Sequence, residues 1–115
     1  GHINGDRLLR QVASRMRGFI RRDECFARYG GEEFGMILPE TGLSGAQALA
    51  EKVRRVIRDT PMELQDGSAV AITISIGCAE LHSTDTVFGL IGRADKALYA
   101  AKTNGRDRVE LAEPG

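Results

Sequence analysis

Two short apolar runs separated by a glycine-rich turn are the feature that most limits how this chain can fold. The runs "CFARY" (25–29) and "FGMIL" (34–38) are rich in aromatic and aliphatic residues, and "GGEE" stands between them. Such runs are typical of strands, and two adjacent glycines can take the positive φ that a tight turn requires. The pattern predicts a β-hairpin, which places two antiparallel strands side by side.

Three segments with helical spacing flank this hairpin in sequence. Apolar residues recur every three or four positions within residues 5–20, 44–59 and 87–101. This spacing predicts three helices, each with one buried face. We expect Ser44 to cap the second helix, and Asp6 lies near the predicted start of the first, where exposed N–H groups favour a carboxylate.

The remaining strand-like segments indicate the fold class. Residues 61–81 predict a short strand, an Asp66-Gly67 turn and a long strand from Val70 to Ala79, and "RVEL" predicts a last strand. Helices and strands in this order favour an α+β fold, an α/β sandwich with helices packed on a mixed sheet. A hairpin between helices fits a ferredoxin-like βαββαβ plan. In that plan a strand precedes the first helix, so we expect residues 1–115 to form one domain without its first strand.

Composition excludes several classes of protein. The chain has 115 residues, 16 basic and 16 acidic, so its formal net charge is zero. No bulk charge draws it to nucleic acid or an anionic membrane, and no apolar run approaches membrane-spanning length. A ferredoxin-like nucleic-acid binder needs a basic face with aromatic platforms, and aromatic residues are only 5% of this chain, so we expect no nucleic-acid partner. Cys25 and Cys78 stand in apolar runs, which predicts buried free thiols in a reducing compartment.

The hairpin turn carries two adjacent carboxylates, Glu32 and Glu33. In an extended segment they point to opposite sides, so one of them can face a cleft and bind a hard cation such as Mg²⁺. Gly30 and Gly31 permit close approach of a ligand to the backbone. The alternative interpretation is a solvated turn that happens to be acidic.

Two further charged clusters each admit two interpretations. Lys102, Arg106 and Arg108 surround Gly105 after the third helix; they can bind phosphates, or they can simply favour a helix C-terminus. The loop from Arg21 to Glu24 is either a solvated connection or a guanine-binding pair. The acidic turn and the cationic segment together predict a site for magnesium and a nucleoside triphosphate.

Four ordered motifs make the chain resemble one family. They are "GHINGD", "RYGGEEFG", "ITISIG" and "RADKALYAAKTNGRDR". They resemble the GGDEF family, the diguanylate cyclases of bacterial signalling, over nearly all of the 115 residues. One departure is Asp107, which stands where the family usually has Asn.

The resemblance implies an activity and a set of site residues. Each domain would bind one GTP, and a homodimer would condense two GTP into cyclic di-GMP and two pyrophosphates with Mg²⁺, or Mn²⁺ in its place. Glu32 would be a metal ligand and the proton acceptor, and Glu33 would support catalysis. The residues implied to bind substrate are His2, Asp6, Gly30, Gly31, Lys102 and Arg106.

Two further departures from the family pattern qualify this expectation. The family has an earlier strand that ends in an aspartate metal ligand, so we expect residues 1–115 alone to be inactive. We expect the parent protein to be cytoplasmic, free or membrane-tethered, with an upstream sensory or regulatory domain. The family's product-inhibition motif R-x-x-D reads R-x-x-E here, at Arg21 and Glu24.

The alternative function is a degenerate or truncated member that binds GTP or cyclic di-GMP as a receptor or dimerisation module.

Overall fold

A computed structural model describes residues 2–19, 25–28, 34–37, 42–82 and 85–112. The helices are α1 (His2–Arg17), α2 (Leu43–Asp59) and α3 (Val87–Thr103). The strands are β1 (Cys25–Arg28), β2 (Phe34–Ile37), β3 (Met62–Glu63), β4 (Ala69–Val70), β5 (Ile76–Cys78) and β6 (Val109–Leu111). The chain divides into two compact units, residues 1–40 with 57–72 and residues 41–56 with 73–115.

The first unit contains the predicted hairpin. Strands β1 and β2 pair antiparallel, and the register runs from Cys25 opposite Ile37 to Arg28 opposite Phe34. Five residues, 29–33, connect the last pair, which agrees with the predicted position of the turn. The prediction of a hairpin from the two apolar runs is therefore confirmed.

A second antiparallel pair, β3 with β4, closes on the predicted Asp66-Gly67 turn. Gly67 has a φ of 86°, which residues with a side chain rarely adopt. The Asp66 carboxylate accepts hydrogen bonds from the Ser68 N–H at 3.0 Å and the Ser68 hydroxyl at 2.6 Å. These bonds lower the pKa of Asp66 and stabilise the turn.

Helix α1 contacts β3 through side chains spaced four residues apart. The Gln11 amide donates to the Glu63 carbonyl at 2.6 Å and accepts from the Glu63 N–H at 2.9 Å, so it pairs with that residue as a neighbouring strand would. Arg7 donates to the Glu63 carbonyl at 3.1 Å, and Arg15 donates to the Pro61 carbonyl at 3.1 Å. The polar side chains of α1 therefore satisfy backbone groups of Pro61 and Glu63.

The second unit is built on a strand–helix–strand arrangement. Strands β5 and β6 are parallel, with Ile76 opposite Val109 and Cys78 opposite Leu111, and α3 connects them. Ala97 and Ala101 of α3 are buried, and a Cβ on Gly77 would lie only 2.3 Å from the backbone nitrogen of Leu98. Small residues at these positions therefore allow α3 to lie directly against β5.

Three expectations about element bounds are wrong. Helix α1 begins at His2 rather than near Gly5, and α2 begins at Leu43, so Ser44 lies inside α2 and is not its cap. The Leu43 N–H donates instead to the Glu80 carboxylate at 2.6 Å. The long strand predicted over residues 70–79 is present only as two short strands, β4 and β5. The two strands have different partners, since β4 pairs with β3 and β5 pairs with β6. Residues 71–75 belong to neither pair.

The buried face of α3 also differs from its prediction. Ala97 and Ala101 are buried as expected, but Val87 and Ile91 are 70% and 41% exposed. The first turn of α3 is stabilised by its cap instead, because the Thr86 hydroxyl accepts from the Gly89 N–H at 3.0 Å.

Candidate functional site

The acidic turn of the hairpin lies outside the described residues. The register of β1 and β2 ends at Phe34, which directly follows Glu33 in the sequence. The structure thus establishes the pairing of the two strands that flank the turn, while the roles assigned to the turn residues stay predictions. The predicted site residues outside the described part are Arg21, Glu24, Gly30, Gly31, Glu32 and Glu33.

The two residues expected at the guanine base lie in one helix. The backbone of His2 and that of Asp6 both belong to α1, one turn apart. The exposed N–H groups of a helix are those of its first turn. Because α1 begins at His2, Asp6 lies beyond that turn. The expectation that Asp6 favours the start of this helix is therefore wrong, and its role at a ligand stays a prediction.

The other predicted binding residues lie at the end of α3, in a segment that we call the cationic turn (residues 102–108). Lys102 is half-buried in the last helical turn, and Arg106 is exposed. The Asn104 N–H donates to the Ala100 carbonyl and the Arg106 N–H to the Ala101 carbonyl, both at 2.9 Å. These bonds end α3 and fix the backbone between the two cationic side chains.

The cationic turn is held by a residue that the sequence analysis missed. Arg54 of α2 donates from Nη1 to the Asp107 carboxylate at 2.7 Å and from Nη2 to the Glu51 carboxylate at 2.9 Å. The hydrogen bond from Arg54 holds the pKa of Glu51 below its usual range, and both carboxylates raise the pKa of Arg54. The only sequence signal was the opposite charge of Glu51 and Arg54, three residues apart on a helix.

A second ionic cluster anchors the start of α3. Arg93 donates to the Asp85 carboxylate and, at 2.8 Å, to the Glu80 carbonyl. The His82 N–H also donates to the Asp85 carboxylate, at 2.7 Å. The pKa of Asp85 is lowered chiefly by the His82 N–H, with a smaller contribution from Arg93. Since the Glu80 carboxylate also accepts from the Leu43 N–H, Glu80 links the start of α2 to Arg93 of α3.

The thiol of Cys78 is not a nucleophile, and the described residues hold no complete metal site. Cys78 is a buried free thiol, as predicted, and burial raises its pKa to about 11. Such a thiol stays protonated and unreactive near neutral pH. Within the described ranges, no group of three or more His, Cys, Asp or Glu residues is arranged to bind a metal ion.

No helix among the described residues is long and apolar enough to cross a membrane.

Comparison with known proteins identifies the family. A family model described as "Diguanylate cyclase, GGDEF domain" matches residues 1–108. The chain is 40% identical over 114 residues to diguanylate cyclase A of Treponema denticola, covering 98% of this chain and 30% of that protein. It is 43% identical over 111 residues to diguanylate cyclase VdcA of Vibrio cholerae, covering 95% of this chain and 33% of that protein. The chain thus spans about a third of the length of these curated relatives.

Solved structures agree in fold. The GGDEF domain of DgcB from Caulobacter crescentus, solved in complex with c-di-GMP, superposes with a TM-score of 0.93 at 37% identity, covering 99% of this chain and 68% of that one. The active GGEEF domain of a diguanylate cyclase from Vibrio cholerae gives a TM-score of 0.85 at 31% identity, covering 100% of this chain and 72% of that one. The predicted α+β fold class is confirmed by these neighbours. The chain belongs to the GGDEF domain family of diguanylate cyclases.

Proposed function

We propose that this domain condenses two GTP molecules into cyclic di-GMP and two pyrophosphates. The observation that carries the proposal is the intact sequence "GGEEF" at residues 30–34, which ends in the first residue of β2. The similar domain from Vibrio cholerae is described as an active GGEEF domain. A glutamate at position 32 is therefore compatible with turnover in this family.

The reaction consists of two identical nucleophilic substitutions, each at the α-phosphorus of one GTP. The 3′-hydroxyl oxygen of each GTP forms a bond to the α-phosphorus of the other GTP, while the bond from that phosphorus to the bridging oxygen of the β-phosphate breaks. The electron pair of the broken bond leaves with pyrophosphate, and Glu32 accepts the proton of the attacking hydroxyl. Two such steps close the ring of cyclic di-GMP, and Glu33 supports them from the adjacent position.

The donor set at the turn suits a hard divalent cation. Carboxylate oxygens are the ligands that Mg²⁺ prefers beside substrate phosphates, and Glu32 would hold the ion. Mg²⁺, or Mn²⁺ in its place, supplies charge neutralisation at the phosphates when bound.

The cationic turn would grip the phosphates from the end of α3. Lys102 offers a compact ammonium group, and the exposed Arg106 offers a planar fork that can form paired hydrogen bonds with phosphate oxygens. Gly30 and Gly31 would let the phosphates approach the hairpin backbone. His2 and Asp6, one helical turn apart in α1, would contact the guanine base.

Each domain would provide one GTP, so the proposed active form is a homodimer with two domains face to face. Because the chain spans about a third of its curated relatives, we propose that it works inside a longer cytoplasmic protein. An upstream sensory or regulatory domain there would control the pairing of the two domains. Arg21 and Glu24 would form a feedback site that binds the product.

A second candidate function is a receptor that binds GTP or cyclic di-GMP without turnover. The observation in its favour is that the similar DgcB domain was solved in complex with c-di-GMP. The two functions differ in whether product appears, so one assay separates them.

The test is product formation from GTP and Mg²⁺ by the full-length protein, compared with its Glu32→Gln variant. Glu63→Gln is the matched control, because Glu63 is an exposed carboxylate paired only with the exposed Arg7 side chain at 3.1 Å in the described structure. We expect cyclic di-GMP from the natural protein and from Glu63→Gln, and none from Glu32→Gln. GTP binding without product in the natural protein would refute the cyclase and support the receptor.

A further inference from the structure

We propose that Arg54 is a positioning residue for the nucleotide phosphates, which holds the cationic turn in shape and neutralises Asp107 within it. This inference rests on the proposed role of Lys102 and Arg106 in binding GTP. It concerns a residue on another helix, and it follows from three properties of the turn.

The first property is an unfavourable backbone. Gly105, Arg106 and Asp107 follow one another with φ angles of 124°, 62° and 47°. Among the described residues, Arg106 and Asp107 are the only ones other than glycine with positive φ. Side chains disfavour this region, so interactions elsewhere must keep the turn in this conformation.

The second property is the contact that does so. Arg54 donates from Nη1 to both the side chain and the carbonyl of Asp107, at 2.7 and 3.4 Å, and its side chain is only 13% exposed. Glu51 binds Nη2 and thereby orients the guanidinium group. The Nε of Arg54 is buried and finds no hydrogen-bond partner among the described residues. The orientation of the group is therefore set by Asp107 and Glu51, although this leaves one of its own donors unsatisfied.

The third property is the charge of Asp107. It places a carboxylate between Arg106 and Arg108, in the segment proposed to bind phosphate. An unpaired carboxylate here would repel a triphosphate and would compete with it for the nearby cations. Arg54 removes this conflict because it pairs with Asp107 from the side of α2.

The experiment compares the Michaelis constant for GTP in four forms of the full-length protein: natural, Arg54→Met, Arg54→Met with Asp107→Asn, and Arg55→Met. The control Arg55→Met removes the same charge from an exposed neighbour on α2 that donates to the Glu51 carbonyl rather than to the turn. We expect Arg54→Met to raise KM about tenfold, as expected when an uncompensated charge lies near a polyanion. We expect kcat to change much less and Arg55→Met to behave like the natural protein.

The double variant separates positioning from a merely structural role. Asp107→Asn removes the carboxylate that Arg54→Met leaves unpaired, so we expect it to restore most of the lost affinity. If the double variant binds GTP as weakly as Arg54→Met, the charge argument is wrong. Should Arg54→Met fail to fold, Asp107→Asn alone still tests the inference, since it keeps an oxygen acceptor for Arg54. Its KM should equal or fall below the natural value, and a rise would contradict the proposal.

Two further variants distinguish the failure of this inference from the failure of the proposed function. If Lys102→Ala and Arg106→Ala both leave the affinity for Mg²⁺-GTP unchanged, the cationic turn does not bind phosphate, and both proposals about it are refuted. If those variants weaken binding while Arg54→Met does not, the inference about Arg54 alone is refuted.

Discussion

The substitution Gly77→Ala tests how α3 is seated on β5. A Cβ at this position would lie 2.3 Å from the Leu98 nitrogen, 2.4 Å from the Ala94 carbonyl oxygen and 2.9 Å from the Leu98 Cα. All three are backbone atoms of α3, so no side-chain rotation can relieve the overlap. Ordinary van der Waals contact begins at 3.4 Å, so the added Cβ and the Leu98 nitrogen, 2.3 Å apart, must separate by a further 1.1 Å.

Such a shift would loosen the packing of the buried Ala97 and Ala101 against β5. Overpacking of a close-packed interior typically costs about 1–3 kcal/mol, and a clash with three helix backbone atoms belongs at the upper end, about 3 kcal/mol. Because 1 kcal/mol shifts the midpoint of a small domain by about 4–8 °C, we expect the melting temperature to fall by about 12–24 °C. The displaced α3 would also carry Lys102 away from its position, so the proposed cyclase activity should fall.

The matched control is Gly92→Ala in α3, where an added Cβ meets nothing within 4 Å. Replacing glycine by alanine in an exposed helical position should stabilise the protein by about 1 kcal/mol. Thermal unfolding followed by circular dichroism therefore should show opposite shifts for the two variants. Equal melting temperatures for Gly77→Ala and the natural protein would refute the close seating of α3 on β5.

Three further predictions follow from polar groups around α2 and α3. Glu80→Ala removes the acceptor of the Leu43 N–H and should cost about 1 kcal/mol in urea unfolding, as a lost cap does; an unchanged midpoint would contradict this. The pKa of Asp85 is lowered on folding, chiefly by the His82 N–H, so its contribution to stability is present above its ordinary value of 3.8 and is lost as the pH falls through the lower folded value. Unfolding measured between pH 5 and about pH 2 should therefore depend less steeply on pH in Asp85→Asn than in the natural protein, and identical slopes would exclude a role for this carboxylate. Cys78, with a pKa of about 11, should resist alkylation at pH 8 in the native protein and react after denaturation, as measured by peptide mass spectrometry; rapid native labelling would show that the thiol is not buried.

Local signals allowed much of the fold to be predicted from the sequence. Helical periodicity located α1, α2 and α3, and the glycines at the hairpin and at Gly67 marked the turns. The errors came from interactions between residues far apart in sequence. The cap of α2 is Glu80, 37 residues from Leu43, while the nearby Ser44 has the usual capping chemistry but lies inside the helix. The long strand was interrupted because strand formation depends on a neighbouring strand, which a single sequence does not reveal.

The candidate site shows the same limit. The motif at the end of α3 predicted the cationic turn, and the structure places Lys102 and Arg106 on either side of its helix termination. Arg54 could not be predicted, because it meets Asp107 across 53 residues of sequence. The substitution of Asp107 for the usual Asn was visible in the sequence, but only the structure shows that a cation on α2 balances its charge.

The most direct measurement of the central claim is the ratio of products formed by the full-length protein from Mg²⁺-GTP, quantified by chromatography and mass spectrometry. A diguanylate cyclase must release two pyrophosphates for every cyclic di-GMP, with no linear guanylate or free phosphate accumulating. We expect that ratio, and we expect the rate per protomer to rise with protein concentration, because each domain would provide half of the reaction. GTP consumption that yields phosphate or GMP without cyclic di-GMP, or no consumption despite binding, would contradict it.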